Sequence, residues 1–303
     1  MSRRSVARGT ILAAGGAVVI SFDGLLIRLQ ALTPAGVLFW RGMLTGIALS
    51  AVTAVALGRS SDHQRAPLRQ QWWPMTQLAF FLVLGTLTFI FSLTHTSVAH
   101  TFVIVASAPL MTGILGYFVL HEHLPARTWL AGLAALVGVV VVISGSLGTG
   151  DVEGDLWALA NTAVLACILV TLRRYQRTNQ MLAIAISGFA TTLVVIPWGI
   201  SFPDAKTMVA AGVDGLVVVP AGLVMITVAV RYLPAGEVGL LLLIETVLAP
   251  VWVLVVIGEA LTFQAALSAV IILGAIGIHS WLDLRAQRLT RTEAEEAAEA
   301  AEA

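Results

Sequence analysis

Charged side chains are scarce in this sequence. Asp, Glu, Lys and Arg make up 11% of its 303 residues, whereas they make up about 25% of a typical globular domain. Hydrophobic residues reach 58%, and the mean hydropathy is +0.92. Because so little polar surface cannot cover a water-soluble globule of this length, the bilayer is the expected solvent.

Cysteine is nearly absent as well, and there is no excess of positive charge. The single cysteine, Cys167, excludes an internal disulfide and has no second thiol with which to hold zinc. The formal net charge is zero, whereas nucleic-acid binding needs a concentrated basic face. We therefore expect no metal, no cofactor and no nucleic-acid partner.

Long apolar runs are what the sequence does contain. A helix needs roughly 20 mainly apolar residues to cross a hydrocarbon core. Ten such runs are separated by polar or turn-forming residues: 9–28, 35–57, 76–95, 99–120, 127–146, 155–172, 181–201, 210–231, 237–257 and 263–282. These runs predict an all-α integral membrane protein with ten transmembrane helices, and we interpret the first run as a retained helix rather than a signal peptide.

The basic residues divide unequally between the two sides that ten spans define. Of the 17 Lys and Arg residues, fourteen fall on the side of both termini, and only Arg28 and Lys206 fall on the other. Because cytoplasmic loops are rich in Lys and Arg, we predict that the N- and C-termini are cytoplasmic. The remaining basic residue, Arg41, lies inside the second span.

The two halves of the chain resemble each other weakly. A shift of 137 positions places Glu122 on Glu259, each in a Glu-x-Leu turn between two apolar runs. Five helices per half would invert the second half relative to the first, as in many secondary transporters that bind substrate in a central cavity. The predicted units are two five-helix repeats and a low-complexity cytoplasmic tail: 9–146, 155–283 and 284–303.

Three charged residues inside predicted spans are the main functional candidates: Asp23, Arg41 and Glu245. A charge at the centre of a membrane helix costs about 2.5–3.5 kcal/mol on insertion scales and marks a partner, a substrate or an ion pathway. Asp23 and Arg41 lie at matching depths, so they are predicted to pair, either as a structural pin or as a substrate contact. Glu245 is the first candidate for proton coupling and Asp23 the second; the alternative for Glu245 is a protonated carboxyl bonded to a neighbouring helix.

Aromatic and amide side chains accompany these charges. Phe22 and Trp40 adjoin Asp23 and Arg41, and a cavity with aromatic walls and a few polar anchors suits an amphipathic ligand. The spacing Gly42-x-x-x-Gly46 is typical of close helix packing. The complete set of predicted substrate-binding residues is Phe22, Asp23, Trp40, Arg41, Phe89, Asn161 and Glu245.

Several segments resemble the EamA-domain family of the drug/metabolite transporter superfamily: FWRG at 39–42, LGTLTFIFSLTHTSVAHTF at 84–102, HEHL at 121–124, VAVRYLPAGEVG at 228–239 and GEAL at 258–261. SFDGLLIRL followed by FWRG is most similar to bacterial aromatic amino acid exporters. The resemblance implies a ten-helix fold with a central cavity, a location in the bacterial inner membrane, and export of small amphipathic metabolites without enzymatic activity.

Other functions stay open at this point. Within transport, the alternatives are a multidrug exporter and an exchanger of nucleotide-type metabolites. In other classes, they are an intramembrane enzyme and a membrane subunit that transports nothing. Proton coupling and simple facilitated flux are both open, as is the oligomeric state.

Overall fold

The computed structural model describes residues 3–59, 68–120, 137–138, 140–141, 143–145, 151–175, 179–229, 232, 235–260, 262–271, 273–274 and 278. Four predicted features lie wholly or mostly outside these residues: the turn at Glu122, the fifth span at 127–146, the end of the tenth span and the tail at 284–303.

All regular structure in the described residues is helical. Seven segments are long and apolar enough to cross a membrane: Ala7–Gln30, Pro34–Val55, Gln71–His95, Val98–Val119, Val152–Arg174, Gln180–Trp198 and Ala205–Ala229. They coincide with the first four predicted spans and with the sixth to the eighth, and we keep those ordinal names. The ninth span corresponds to helix Ala235–Ile257. This architecture supports a multi-pass membrane protein.

Four of the spans are formed by helices Pro34–Arg59, Leu68–His95, Val152–Arg174 and Gln180–Val195. Three others are interrupted. The first consists of Arg3–Ile20 and Asp23–Gln30, and the fourth of Val98–Val105 and Ala108–Leu120. The eighth passes through a π-helical turn, Asp214–Val218, between helices Ala205–Val213 and Val219–Ala229. Irregular backbone at membrane depth occurs where it is buried in protein or lines a cavity.

The eighth span begins earlier than the apolar pattern predicts. Asp204 is its N-cap, and the Asp204 Oδ1 atom accepts a hydrogen bond of 2.8 Å from the Thr207 amide. Hydrogen bonds from Thr207 also lower the pKa of the Asp204 carboxyl. Because this cap starts the helix at Ala205, Asp214 lies nine residues inside the span instead of near its end.

Glycines allow the second and seventh spans to approach closely. A Cβ atom on Gly42 would lie 2.6 Å from the carbonyl oxygen of Gly188, and a Cβ atom on Gly188 would lie 2.6 Å from the carbonyl oxygen of Gly42. A Cβ atom on Gly46 would meet the Phe189 ring at 3.1 Å. The interpretation of Gly42 and Gly46 as a packing surface is thereby confirmed.

The connections between spans gather at two opposite ends of the helices. At one end the amide of Asn179 donates to Gln71 Oε1 at 3.0 Å, which joins the connection before the third span to the one before the seventh. The other end, which we call the Arg28 end, is defined by four residues that lie in or next to separate connections: Arg28, Thr96, Asp155 and Glu259. The predicted spans place Gln71 and Asn179 on one side of the membrane and these four residues on the other. Residues that are predicted to share a side are therefore in contact with each other.

Candidate functional site: a charged cluster beside a central cavity

Arg41 lies between two buried carboxylates. Its Nη1 and Nη2 atoms donate to the two carboxylate oxygens of Asp23, the Nη2 bond measuring 2.8 Å. Nη1 also donates to Asp214 Oδ2 at 3.1 Å. The matching depths of Asp23 and Arg41 therefore correspond to a bidentate ion pair, and a second acidic residue joins it.

Asp214 is the member of this cluster that sequence reasoning missed. It is fully buried, opens the π-helical turn of the eighth span, and lies 173 positions from Arg41 along the chain. Single π turns inside α-helices often occur at functional sites. The signal that would have found Asp214 was the N-cap sequence Asp204-x-x-Thr207, which moves the start of the helix and so places this carboxylate at membrane depth.

The cluster has more negative than positive groups. Two carboxylates face one guanidinium, so one negative charge is left over when both acids are ionised. Gln30 Nε2 donates a long 3.5 Å bond to Asp214 Oδ2, while Asp214 Oδ1 has no hydrogen-bond partner among the described residues. The charge of Arg41 is thus already matched inside the protein.

A cavity of about 260 Å³ adjoins the cluster. Its walls are mainly apolar, and its aromatic side chains, Phe89 and Phe102, meet edge to face with ring centroids 5.8 Å apart. This volume lies just below the about 300–1,000 Å³ typical of drug-sized ligand sites. Five of the predicted site residues line the cavity: Asp23, Arg41, Phe89, Asn161 and Glu245.

Glu245 and Asn161 are two polar side chains in this wall that have spare hydrogen-bonding capacity. Asn161 Oδ1 accepts from Thr88 Oγ1 at 3.1 Å. Glu245, on the ninth span, has no hydrogen-bond or ion-pair partner among the described residues. In contrast, Ser187, Thr191 and Thr246 donate to carbonyl oxygens of their own helices, which is the ordinary behaviour of hydroxyl groups in membrane helices.

Phe22 and Trp40 lie elsewhere in the structure. Phe22 stacks on Trp252 with ring centroids 4.8 Å apart, next to the interruption of the first span. Trp40 donates from Nε1 to the carbonyl oxygen of Ser201 at 3.2 Å and meets the Phe202 ring edge to face. Neither residue is part of the cavity wall described above.

An apolar cluster separates the cavity from the Arg28 end. It contains side chains from the first, second, third, fourth, seventh and ninth spans, all taken from the parts nearest that end: Leu25, Ile27, Val37, Leu38, Ile90, Leu93, Val98, Phe102, Val195, Ala249 and Val253. On the opposite side, the cavity reaches Leu78 and Leu172, close to the Gln71 end. The cavity therefore extends towards the Gln71 end and is covered at the Arg28 end.

Polar contacts reinforce this cover. Arg28 donates to the carbonyl oxygen of Thr96 at 2.7 Å and pairs with Glu259 at 3.3 Å, and Glu259 also accepts from the Val98 amide at 2.8 Å. These contacts connect the first and fourth spans to the segment after the ninth span. They hold three separate parts of the chain together at the Arg28 end.

A second group of polar contacts lies beside the first. Asp155 Oδ1 accepts from Thr96 Oγ1 at 2.9 Å and lies 3.3 Å from His100 Nδ1. His100 Nε2 lies 3.0 Å from Thr262 Oγ1. The sixth span and the residues after the ninth are thereby joined to the fourth span.

The architecture and the cavity define a class, a helical multi-pass membrane protein with a charged internal site, and comparisons with known proteins refine it. Residues 7–144 match the model of the EamA-like transporter family. A structure described only as the crystal structure of a protein matches with a TM-score of 0.67 and 19% identity, over 93% of this chain and 99% of that chain. No curated protein matches the chain. The family match supports a membrane transporter of the drug/metabolite transporter superfamily, and the structural match shows the shared fold.

Proposed function

We propose that this protein is a secondary transporter that exports small amphipathic molecules across the bacterial inner membrane by alternating access. The observation that carries the proposal is the internal cavity, which holds three charged side chains at membrane depth and is covered at the Arg28 end by an apolar cluster. A cavity covered at one end is what alternating access requires of each resting state.

The packing of the spans supports two inverted repeats, 9–146 and 155–283. Exchanging the halves turns the first span into the sixth, the second into the seventh, the third into the eighth and the fourth into the ninth. Under this exchange, the contact between the first and eighth spans corresponds to a contact between the sixth and third spans. The structure contains both contacts. The second and seventh spans, which exchange with each other, pack at Gly42 and Gly188. Rocking of two such halves would uncover the cavity at alternate ends.

Amino acids, and aromatic ones first, are the leading substrate class on the family resemblance. Phe89 and Phe102 would contact an aromatic or apolar group, and Asn161, Glu245, Asp23 and Arg41 would provide the polar contacts. Phe22 and Trp40 are proposed contacts of the state that is open at the Arg28 end. Nucleotide-type substrates fit less well, because phosphates require basic groups and Arg41 is already paired with two carboxylates.

Sidedness follows from the distribution of arginine. The Gln71 end carries most of the basic residues, so we assign it to the cytoplasm and the Arg28 end to the outside. In this arrangement the cavity extends towards the cytoplasm, from which an exporter takes its substrate.

Proton coupling through Glu245 is the proposed energy source. In proteoliposomes, Glu245→Gln is expected to reduce gradient-driven transport at least about tenfold, because the amide cannot release a proton or form a charge-assisted hydrogen bond to a substrate, and that bond alone is worth a factor of about ten. The matched control is Glu153→Gln, the same chemical change at an exposed position outside the cavity. Transport that is unaffected both by Glu245→Gln and by collapse of the proton gradient would show facilitated flux instead.

Transport itself is tested in cells. Overexpression is expected to raise tolerance to toxic amino acid analogues or drugs and to lower their accumulation. An unchanged accumulation profile across a broad panel of amphipathic compounds would refute the transporter proposal and favour an intramembrane enzyme or a subunit without flux.

A further inference from the structure

The charges around the cavity favour a cationic ligand. Asp23, Arg41 and Glu245 are the charged residues in the described cavity wall, and Asp214 lies behind Arg41 as a second carboxylate within hydrogen-bond distance of its guanidinium. Three acidic groups therefore accompany one basic group. If Asp23 and Asp214 share a proton, the inner cluster becomes neutral, and Glu245 still forms no direct ion pair with Arg41 among the described residues.

Arg41 is poorly placed to bind a substrate carboxylate. Both of its terminal nitrogens already donate to Asp23, and Nη1 donates to Asp214 as well. A substrate carboxylate would have to displace one of these charge-assisted bonds and leave an acid buried without its partner, which is costly in a low-dielectric site. The cavity thus contains a basic residue without offering a free positive charge.

Glu245 is in the opposite situation. It faces the cavity, and no side chain among the described residues pairs with it. A carboxylate at membrane depth gains most from a cation that enters with a hydrogen-bond donor, such as an ammonium group. The Phe89 and Phe102 rings in the same wall add apolar surface and attract cations through their faces.

We infer that the cavity selects small amphipathic monocations, namely amines with an apolar or aromatic body and no free carboxylate, and that Glu245 binds their ammonium group. This inference rests on the proposed transport function and replaces its leading substrate class, amino acids, with amphipathic amines that lack a carboxylate. Amino acid-derived amines and cationic drugs meet the description, whereas zwitterionic amino acids meet only half of it.

The test uses three compounds that share a phenyl ring and differ in charge: the cation 2-phenylethylamine, the zwitterion phenylalanine and the anion 3-phenylpropionate. Binding to the purified full-length protein in detergent is measured by titration calorimetry. The amine is expected to bind at least about tenfold more tightly than phenylalanine, and 3-phenylpropionate more weakly still. Glu245→Gln should remove the preference for the amine, while Glu153→Gln should preserve it.

Three results would overturn the inference, and two of them concern the wild-type protein. One is binding of phenylalanine or 3-phenylpropionate as tight as that of the amine, and the other is absence of amine binding. Either result leaves the transport proposal intact if the cell accumulation profile shows another exported compound, so the two failures are distinguishable. Amine binding that Glu245→Gln does not change would remove Glu245 from the site and is also a refutation.

Discussion

At the scale of single residues, the position of Arg41 decides what its substitution should do. Removing one partner from a buried ion pair costs about 3–5 kcal/mol, because the other charge stays buried. Arg41→Ala leaves two acids, Asp23 and Asp214, facing each other without a cation. We therefore expect a loss of about 3–5 kcal/mol in unfolding free energy, measured by thermal or denaturant unfolding in detergent.

Asp214→Asn provides the control for that expectation. As a single substitution it removes one of the two carboxylates that face Arg41 and leaves the Asp23–Arg41 pair in place. It should therefore change the unfolding free energy by less than about 1 kcal/mol. Combined with Arg41→Ala, it should recover part of the lost stability, giving a coupling energy above about 0.5 kcal/mol in a double-mutant cycle. Strictly additive effects would mean that Arg41 and Asp214 do not interact.

The sequence predicted part of this site and not all of it. Asp23, Arg41 and Glu245 are recognisable because a charge inside an apolar run is conspicuous. Asp214 is not, since it follows a polar segment and its depth depends on the helix cap at Asp204. Its contact with Arg41 joins distant parts of the chain and leaves no mark in local periodicity.

At the scale of helices, the crossing of the second and seventh spans is a tightly constrained contact. A Cβ atom on Gly188 would lie 2.6 Å from the Gly42 carbonyl oxygen and 3.0 Å from the Gly46 nitrogen, and backbone atoms cannot move aside cheaply. Gly188→Ala should therefore lower the unfolding free energy by about 1–3 kcal/mol, as overpacking usually does. The loss is measured by thermal unfolding in detergent.

Gly212→Ala is the matched variant for this test. Gly212 is also helical, but a Cβ atom there would meet nothing within 4 Å. Because alanine is the better helix former by up to about 1 kcal/mol, this change should be neutral or stabilising. Equal destabilisation by both substitutions would argue against a specific contact at Gly188.

Helix positions were more predictable than helix interruptions. Apolar runs located eight spans of the described chain to within about five residues at each end, because the bilayer fixes their length. The interruptions near Phe22 and Ser107 and the π turn at Asp214 depend on packing and on polar groups of other spans. Trp252, for example, donates to Ser21 Oγ at 2.9 Å, at the interruption of the first span.

At the scale of the whole molecule, the contacts at the Arg28 end bias the protein towards the state covered at that end. A partly exposed ion pair such as Arg28–Glu259 is worth about 0.2–1 kcal/mol. Arg28→Glu replaces this attraction with repulsion and also removes the bond to the Thr96 carbonyl. It should increase the fraction of molecules that are open at the Arg28 end by up to about fivefold.

Cysteine labelling measures that population. Cys167 is the single native cysteine, so Ala106→Cys, a small change in the cavity wall, is introduced on a Cys167→Ser background. A membrane-impermeant maleimide added from outside should label the Arg28→Glu protein faster. The double variant Arg28→Glu/Glu259→Arg restores opposite charges at the two positions and should restore the original labelling rate. Lys206→Glu, a charge reversal at an exposed position on the same predicted side, should leave the rate unchanged. If labelling is equally slow in all variants, the Arg28–Glu259 pair does not control access to the cavity, and the apolar cluster alone keeps that end covered.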